Sequence, residues 1–523
     1  MTGRGHGGEA VLELPMQLDR TAAEPLQRQL IARLRAAMLA GQLAPGTRLP
    51  ATRALALALG VSRNVVVGAY DELFAEGYVT GRHGSGTYVE ASLPRPPRAV
   101  LASVGGERWM SLPPLPLAGL PSLDDGEGGG GRDDRDGGER GDGGAAGLIS
   151  FRPGVPALDL LPVEVWRRVW RVATEELPPN RYAHAAGEPA LREALARWVG
   201  RSRGVACGPD DVVITTGAAQ AMDLLVRATV APGAAVAFEE PGYPTARNIL
   251  LAHGARIVPV PVDADGMQVE RLPSGSQAPI LACVTPSHQY PLGGRLPIAR
   301  RLALLAWARA NDSLIVEDDY DSEFRFDAPP LPALLSLERE GADTASRGGR
   351  VAYIGTFAKS LAPSLRLGYL VAPAPLRERV TALKALTDRQ TSWPVQRAVL
   401  ALLAEGHLER HIRRARRRYA ESRAILRAGL QPVTGDPSGG TRLIGLEAGL
   451  HACLELAPGL EAARIVAAAR LRGVAVGSLS DYYFGPPDRQ GLVLGYGGLE
   501  HAELARGARI LAEVIAAASG MAR

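Results

Sequence analysis

Apolar positions near the start of the chain recur every three to four residues, which is the spacing of one helix face. Leu26, Leu30 and Met38 belong to a first helix, and two further helical patterns follow it. Ser62 precedes the third pattern and is predicted to cap it. Alternating apolar positions around a glycine-rich turn then indicate a β-hairpin. Three helices followed by a hairpin predict a winged helix-turn-helix domain over residues 11–90.

The C-terminal part of the chain shows a different pattern. Short apolar runs alternate with helical patterns from about residue 190 onward. The strand-like runs cover 211–215, 235–238, 280–284, 313–317 and 351–354. Strands separated by helices predict a mostly parallel sheet with helices on both faces, in an α/β body that spans residues 148–523.

The segment between these two domains, residues 91–147, has a composition of its own. It begins rich in proline and continues rich in glycine, aspartate and arginine. So few apolar side chains cannot bury enough surface to balance the entropy cost of ordering the backbone. We therefore expect a disordered linker between the two domains.

The overall composition is that of a folded protein without membrane segments. Of the 523 residues, 46% are hydrophobic and 22% are charged, and no apolar run is long enough to cross a bilayer. The three cysteines, at 207, 283 and 453, lie far apart and match no metal-ligand spacing. We expect reduced thiols in the cytoplasm and no metal site.

The start of the third helix carries side chains that suit DNA. In a helix-turn-helix domain, the N-terminal end of the recognition helix enters the major groove. Here that end consists of Ser62, Arg63 and Asn64. They offer a hydroxyl, a guanidinium that can bind guanine or phosphate, and an amide that can pair with adenine. Arg48 and Arg53 flank the preceding helix. The predicted partner is double-stranded operator DNA, bound by a dimer because one such module binds weakly.

The net charge of this domain does not by itself support DNA binding. Residues 11–90 contain eight arginines, including Arg82 on the predicted wing, against seven acidic residues. The acidic side chains at 71, 72 and 76 follow the N-terminal end of the third helix, so the two signs of charge are separated along it. The prediction is therefore a basic face on a nearly neutral domain.

Lysine is nearly absent from the chain, and one lysine lies in a reactive context. Of 59 lysines and arginines, only Lys359 and Lys384 are lysines. An arginine keeps its proton and cannot form an imine, whereas a desolvated lysine can. Lys359 follows a strand-like run and precedes Arg366, which suggests an imine-forming lysine beside a phosphate-binding arginine, and hence pyridoxal phosphate. The alternative is a surface lysine in a loop. Lys384 reads as an ordinary lysine on the surface of a helix.

The other groups that this cofactor needs have candidates after predicted strands. Asp318 could keep the pyridine nitrogen protonated and Tyr320 could donate to the ring oxygen, although a charged turn is the alternative. Ala218 and Ala219 open a helix whose backbone N–H groups can hold phosphate. The remaining candidates are Thr356, a donor to phosphate, and Tyr243, which could stack on the ring.

Four segments of the N-terminal domain resemble the GntR-type winged helix. They read GTRLPATR at 46–53, LGVSRNVV at 59–66, AYDELFAEGY at 69–78 and GSGTYV at 84–89. The resemblance covers the whole domain. It implies DNA contacts from Arg48, Arg53, Arg63 and the wing between Arg82 and Gly86, which includes Gly84.

From about residue 151 to the end, the order and spacing of the motifs resemble fold-type I aminotransferases. The resemblance implies a mostly parallel seven-stranded sheet with a small α+β domain. It also implies Lys359 for the internal aldimine, Asp318 for the pyridine nitrogen, Tyr320 for the ring oxygen, Tyr243 for stacking, and Ala218, Ala219, Thr356 and Arg366 for phosphate. Tyr182 resembles the tyrosine that reaches the phosphate of the partner subunit, which implies a homodimer.

The two domains together resemble the MocR/GabR regulators, and the segment TPSHQYPLG at 285–293 is characteristic of that group. Two features depart from ordinary aminotransferases. Tyr290 stands where those enzymes usually carry Asn. No arginine stands in line near the end of the chain to bind a substrate carboxylate, and Arg489 is the nearest.

Three functions are compatible with this resemblance. The first is a transcription regulator that senses pyridoxal phosphate, or an amine or amino acid, through an aldimine at Lys359, with residual transaminase activity possible. The second is a working aminotransferase with secondary DNA binding, against which the missing Asn and carboxylate arginine argue. The third is a DNA-binding dimer with an inactive enzyme fold as scaffold, against which the intact Lys359, Asp318, Tyr320 and Arg366 argue.

Overall fold

The computed structural model describes residues 18–20, 24–39, 43–82, 86–91, 148–326, 332–340, 349–435 and 440–520. The predicted linker beyond its first residue, and the predicted DNA contact Gly84, lie outside these described residues. The chain divides into two compact units, one containing the N-terminal domain and the other nearly all of the body. Among the described residues, no helix combines the length and apolar character that crossing a bilayer requires.

The N-terminal domain has the predicted three helices and hairpin. Its elements are α1 (Leu26–Leu39), α2 (Thr52–Leu59), α3 (Arg63–Ala75), β1 (Val79–Arg82) and β2 (Gly86–Val89). Gly60 ends α2 in the left-handed conformation, with φ of 63°, and β1 pairs antiparallel with β2. Leu30 and Leu34 on α1 and Val66 and Leu73 on α3 are fully buried. The periodic apolar positions therefore form the core between these helices.

A buried ion pair fastens α1 to the residue that follows α3. Arg35 Nη2 donates to both carboxylate oxygens of Glu76, at 2.7 and 2.8 Å, and neither side chain is more than 10% exposed. Removing one partner of such a pair would leave an uncompensated buried charge. Because Glu76 is neutralised inside the domain, it adds no negative charge to the surface that is predicted to meet DNA.

The body alternates strands and helices. Its helices are α4 (Val163–Thr174), α5 (Pro189–Arg203), α6 (Ala218–Thr229), α7 (Pro244–Ala252), α8 (Ile298–Ala310), α9 (Leu334–Glu340), α10 (Ala374–Thr387), α11 (Trp393–Ala404), α12 (His407–Thr434), α13 (Ala462–Leu471) and α14 (His501–Ala518). Its strands are β3 (Ile149–Ser150), β4 (Val212–Thr215), β5 (Ala235–Glu240), β6 (Arg256–Asp263), β7 (Gly266–Met267), β8 (Leu281–Val284), β9 (Leu314–Asp319), β10 (Val351–Thr356), β11 (Gly368–Val371), β12 (Arg442–Ile444), β13 (His451–Glu455), β14 (Val474–Ala475), β15 (Gly477–Ser478) and β16 (Gly491–Gly495).

The central sheet confirms the predicted fold class. Its strand order is β4-β11-β10-β9-β8-β5-β6-β7. The pairs from β10 to β6 are parallel, and β11 runs antiparallel to both of its neighbours. Seven strands form the predicted mostly parallel sheet, and the two-residue β7 adds an antiparallel eighth at its edge. Every residue of β8, β9 and β10 is buried, as expected for strands covered on both faces.

Besides the two-residue β7, two strands of this sheet have no counterpart among the predicted apolar runs. The first, β6, contains Pro259 and Pro261, which would break the ladder of a central strand. They are tolerated because β6 pairs along its length only with β5 and meets just the two residues of β7 on its other side. The second, β11, has four residues, which is too short for its periodicity to be recognised.

A smaller antiparallel sheet of order β12-β13-β16-β15 accompanies α12 to α14, as the α+β domain of the prediction. The first strand of the body, β3, pairs with β14 in this region. The residues that follow β3 are held against β16, since Gly495 N donates to Phe151 O at 2.8 Å. This arrangement brings the start of the body beside β14 and β16.

The prediction that Lys384 is a surface lysine is wrong. Its side chain is fully buried on α10, and its Nζ lies 2.7 and 2.6 Å from the two carboxylate oxygens of Asp388. Gln220 Nε2 donates to the same carboxylate at 2.7 Å, and Gln220 Oε1 accepts from Thr216 N at 2.8 Å. The helix pattern places Lys384 on a polar face but cannot show that α6 packs there. The network ties α10 to the residues that precede α6.

Candidate cofactor site and DNA-binding face

A cavity of about 450 Å³ lies at the carboxyl ends of the strands of the central sheet. Five strands, β4, β5, β8, β9 and β10, each end next to residues that line it. Eight of the nine predicted cofactor residues line this cavity: Ala218, Ala219, Tyr243, Asp318, Tyr320, Thr356, Lys359 and Arg366. The crevice outside the carboxyl ends of parallel strands is the usual place for a ligand in α/β sheets.

The carboxylate of Asp318 lies at the end of β9 and is nearly enclosed. Its Oδ1 is buried and accepts no hydrogen bond from the described residues. Burial raises the pKa of Asp318 to about 7, the charge of Asp319 adds to this, and Lys359 acts against it. A buried carboxylate oxygen without a donor costs free energy unless a ligand supplies one. A protonated pyridine nitrogen is such a donor, so Asp318 fits the predicted cofactor.

A second buried carboxylate lies close to the first. Glu239 accepts hydrogen bonds from Thr285 Oγ1 at 2.6 Å and from Gln289 Nε2 at 3.3 Å. Burial raises its pKa to about 7, and the charge of Asp318 contributes in the same direction. Thr285 itself lines the cavity, so Glu239 holds one wall of it from behind.

The approach to Lys359 is restricted by the segment after β3. Gly154 has a φ of 78°, and a Cβ atom at this position would collide with Lys359 Nζ. Glycine is therefore required both by the backbone conformation and by the closeness of the lysine. This glycine is not among the residues predicted from the sequence. Its signal in the sequence is the Pro-Gly pair that follows the short strand β3.

A cationic corner lies at the N-terminus of α6, beside Arg366. Gly217 caps this helix with φ of 99°, and a Cβ atom there would lie 3.3 Å from an Arg366 guanidinium nitrogen. Arg366 itself adopts the left-handed conformation, φ 47° and ψ 54°, which a non-glycine residue adopts only when its surroundings hold it there. The free N–H groups of a helix start and an adjacent guanidinium together favour an anion. Ala218 and Ala219 are the first residues of this helix.

Three tyrosines form an aromatic wall of the cavity. The rings of Tyr243 and Tyr290, and those of Tyr290 and Tyr320, each meet edge to face at 5.6 Å between centroids. Tyr290 is the residue that replaces the Asn of ordinary aminotransferases, and it lines the cavity. Its hydroxyl lies 3.4 Å from that of Tyr482. Tyr243 is thus placed where a planar ligand ring would meet it, in keeping with its predicted stacking role.

The hydroxyl of Tyr320 is held by one histidine. It donates to His288 O at 2.9 Å and lies 3.0 Å from His288 Nδ1. Burial raises the pKa of Tyr320 well above its ordinary value, and neighbouring carboxylates raise it further. The phenol therefore keeps its proton and remains a hydrogen-bond donor beside the cavity.

Tyr182 is the predicted cofactor residue that does not line the cavity. Its ring is 74% exposed, and the guanidinium of Arg389 lies over it at 5.0 Å. Within one protomer it is therefore not part of the site. Its contact with the phosphate of a partner subunit stays a prediction.

An arginine that was not predicted from the sequence lines the cavity. Arg152 follows β3 and is an exposed member of the lining. Arg489, the arginine nearest to the expected position of a carboxylate binder, instead pairs with Glu455 at 3.1 Å and Asp488 at 3.3 Å. The order of residues in the sequence does not indicate Arg152, because it lies more than 330 residues before Arg489 and is brought to the cavity by the pairing of β3 with β14 and by the bond from Gly495 N to Phe151 O.

The predicted reading end of the winged helix is exposed to solvent. Ser62 precedes α3 in an extended conformation, as an N-cap residue does, but its side chain makes no capping hydrogen bond. The predicted cap is therefore wrong in its chemistry, although the helix does begin at Arg63. Arg53, Arg63 and Asn64 are exposed, and Arg63 Nε lies 3.4 Å from Thr52 Oγ1.

The wing lies beside the strand-like residue Arg48. This arginine pairs with Tyr88 in an isolated bridge, and its Nε would lie 3.0 Å from a Cβ atom at Gly86. The backbone of Arg82 faces Gly86 in the hairpin register. Arg48 and the hairpin thus lie together, which is the arrangement that the predicted wing contacts require.

Two families match successive parts of the chain. Residues 26–89 match the bacterial regulatory proteins of the gntR family, and residues 149–485 match aminotransferase class I and II. The body resembles the solved structure of LysN, the α-aminoadipate aminotransferase of Thermus thermophilus, complexed with N-(5'-phosphopyridoxyl)-L-leucine. The TM-score is 0.64 with 28% identity, over 72% of this chain and 94% of that chain. It also resembles kynurenine aminotransferase from Pyrococcus horikoshii in complex with PMP, with a TM-score of 0.65 and 27% identity, over 71% and 91%. Pyridoxal phosphate is therefore the cofactor of this fold family, and the residues of the cavity fit it.

Two relatives match nearly the whole of this chain, and so both of its domains. The chain is 38% identical to the probable rhizopine catabolism regulatory protein MocR of Rhizobium meliloti, over 92% of each protein. It is 34% identical to the HTH-type pyridoxine biosynthesis transcriptional regulator PdxR of Corynebacterium glutamicum, over 93% of this chain and 95% of that protein. The chain therefore belongs to the MocR-type regulators, which join a gntR-family DNA-binding domain to a class I and II aminotransferase domain.

Proposed function

We propose that this protein is a DNA-binding transcription regulator whose aminotransferase-like body binds pyridoxal phosphate and senses the cofactor itself, or an amine or amino acid that reacts with it. The observation that carries the proposal is the joint placement of Lys359, Asp318 and Arg366 in one cavity of a chain that also presents an exposed recognition-helix start. A ligand can shift such a protein between states only if it binds the two states with different affinity.

Each cavity residue has a task that follows from its chemistry. When bound, the cofactor supplies a carbonyl for amines and a ring that can accept electrons. Lys359 provides the amine that holds it, Asp318 accepts a hydrogen bond from the ring nitrogen, and Tyr320 donates to the ring oxygen. Arg366 and the start of α6 bind the phosphate, with Thr356 beside them. Tyr243 covers one face of the ring.

The effector class is suggested by Arg152. This guanidinium lines the cavity, and no hydrogen bond or ion pair from the described part of the chain engages it. We propose that it binds an anionic group, such as the carboxylate of an amino acid, while the amine of the same ligand reaches the cofactor. We further propose that the protein is a cytoplasmic homodimer, in which Tyr182 reaches the phosphate bound in the partner subunit's cavity.

The second candidate function is a working aminotransferase. The placement of Lys359, Asp318, Tyr320 and Arg366 around one cavity favours it, because these are also the residues that turnover would need. Sustained production of a keto acid from an amino acid by the purified protein would support this function over sensing.

The visible absorption spectrum tests the proposed function directly. On titration with pyridoxal phosphate, the wild type should develop a visible band that Lys359→Ala lacks, because arginine cannot form the imine and Lys384 is buried. Lys384→Arg is the matched control and should keep the band. Amino acids and amines are then added while binding to a labelled duplex from upstream of the gene is followed by anisotropy. A band that forms without Lys359, or a ligand that changes the band and leaves DNA affinity unchanged throughout the panel, would contradict sensing.

Asp318→Asn should change stability in a pH-dependent way. The folded-state pKa of Asp318 is raised to about 7 from 3.8, so its unfavourable burial grows as pH rises from about 4 to about 7. The cofactor-free variant should therefore gain about 1–3 kcal/mol over wild type at about pH 8 and much less at about pH 5. It should also bind pyridoxal phosphate at least tenfold more weakly. Thermal melting at both pH values, with and without cofactor, measures this. An equal stability gap at the two pH values would show that the charge is not the cause.

Arg63→Ala should weaken DNA binding by about tenfold, since one well-placed arginine contact is worth about 1–3 kcal/mol. Arg33→Ala on α1, also exposed, removes the same charge away from the reading end of α3 and serves as the control. Fluorescence anisotropy at several salt concentrations separates a base contact from a phosphate contact, because only the latter lowers the salt dependence. Equal losses from both variants would mean that general charge, and not the helix start, binds the duplex.

Arg152→Ala should raise the half-saturating concentration of an amino acid that perturbs the visible band by about tenfold. The decarboxylated amine of the same side chain should be unaffected, because it lacks the group that Arg152 is proposed to bind. Arg489→Ala provides a comparison at an arginine that is already paired. If the amine and the amino acid lose affinity equally in Arg152→Ala, the arginine does not recognise the carboxylate.

A further inference from the structure

A histidine–aspartate pair is buried directly behind Tyr320. His288 Nδ1 lies 2.9 Å from Asp321 Oδ2, and both side chains are no more than 2% exposed. The pair is formed by two loops that follow neighbouring strands, β8 and β9, and neither residue lines the cavity. None of the roles proposed above uses this pair.

The hydrogen-bond geometry requires protons on both nitrogens of His288. Nδ1 faces the carboxylate of Asp321, and Nε2 lies 3.3 Å from the carbonyl oxygen of Gly445. Both neighbours accept hydrogen bonds, so the ring must donate from both sides and carries a positive charge. Burial lowers the pKa of His288, but the charge and hydrogen bond of Asp321 more than compensate, and the pKa is raised.

The charged ring controls the hydroxyl of Tyr320. Both hydrogen-bond partners that the described residues offer this hydroxyl belong to His288: the carbonyl oxygen at 2.9 Å and Nδ1 at 3.0 Å. In this structure the hydroxyl donates its only proton to His288 O, while Nδ1–H, which also faces Asp321, is within reach to donate to the phenol oxygen. To reach the ring oxygen of the cofactor, that proton would turn away from His288 O, and Nδ1–H would then hold the phenol oxygen, so the orientation of the donor depends on His288.

The surroundings leave His288 little freedom to move. A Cβ atom at Gly449 would collide with the imidazole and with Asp321 Oδ2. The His451 ring lies 4.9 Å from the His288 ring between centroids. Burial lowers the pKa of His451 well below its ordinary value, and the charge of His288 lowers it further, so His451 is neutral. The other charged group that affects His288 is Arg325, whose Nη1 donates to Ser287 O at 3.3 Å.

A metal ion is the other chemistry that this group of side chains allows. Ligand atoms of His288, Asp321 and His451 lie within 4.8 Å of one another. A metal would need a lone pair on His288, whereas both of its nitrogens already face acceptors at hydrogen-bond distance. The geometry therefore favours an ion pair over a metal centre.

We propose that His288, kept charged by Asp321, is a positioning residue that orients the Tyr320 hydroxyl toward the cofactor ring. The inference rests on the cofactor site of the proposed function but not on sensing or DNA binding. Its first consequence is spectroscopic. A donor to the ring oxygen stabilises negative charge there, so loss of that donor makes the protonated form of the visible chromophore persist to higher pH.

The test is a pH titration of the visible band in the cofactor-loaded full-length protein. Tyr320→Phe should raise the titration midpoint, and His288→Gln should raise it in the same direction by about half a pH unit or more. Asp321→Asn is the second variant, because it keeps the shape of the pair and removes only the charge that holds the proton on His288. It should also raise the midpoint, and it provides the same test if His288→Gln does not fold.

The chain offers a matched control in a second histidine–aspartate pair. His253 Nε2 lies 2.7 Å from Asp223 Oδ1, at the far end of α7 and outside the cavity lining. His253→Gln should titrate like wild type. Midpoints of His288→Gln and Asp321→Asn equal to wild type, with Tyr320→Phe shifted, would overturn the positioning role. One equivalent of bound zinc that His451→Ala releases would overturn it in favour of a metal centre. Absence of any band in the wild type would instead refute the cofactor site on which the inference rests.

Discussion

The body depends on how it neutralises a run of acidic residues buried at the end of β9. Five of the seven residues from 317 to 323 are acidic, and all but Tyr320 are buried. Glu317 accepts from the backbone N–H groups of Leu334 and Leu335, at 3.0 and 3.2 Å. Arg203 lies 2.6 Å from Asp319 and 3.2 Å from Glu323. Asp321 has His288. Asp318 keeps one oxygen without a donor among the described residues.

The partners of these acids distinguish the ones that stabilise the fold from Asp318, which is left for a ligand. The acids that have protein partners tie β9 to α5, α9 and the loop after β8, and each pair would be costly to break because the surviving charge would stay buried. The Oδ1 of Asp318 has no such partner in the described part of the chain. Burial of this carboxylate is therefore unfavourable, and it raises the pKa of Asp318. A bound cofactor that donates to Asp318 would complete the set. Cofactor binding would thereby add to the stability of the strand and of the body.

Two glycines let the backbone come close to cationic side chains that line the cavity. Gly154 brings the segment after β3 against Lys359, and Gly217 brings the start of α6 against Arg366. Both have positive φ angles, so another residue would be strained even if space were made for it. The buried network of Lys384, Asp388 and Gln220 holds the chain just before α6. The buried Lys384 thus helps to hold the start of α6, where the anion is proposed to bind.

The sequence by itself determined the two domains, the parallel sheet and eight residues that meet in one cavity. It could do so because apolar periodicity and the turn after each strand are local properties, and because an imine-forming lysine is recognisable where nearly every other cation is arginine. Only the tertiary structure decided that Lys384 is buried, that Arg152 lines the cavity and that His288 pairs with Asp321 behind Tyr320. Each of these depends on a contact between segments distant in the chain, where burial and charge pairing, and not local pattern, set the properties of a side chain. For the same reason Tyr182, which lies outside the cavity of one protomer, can find its proposed role only in an assembly.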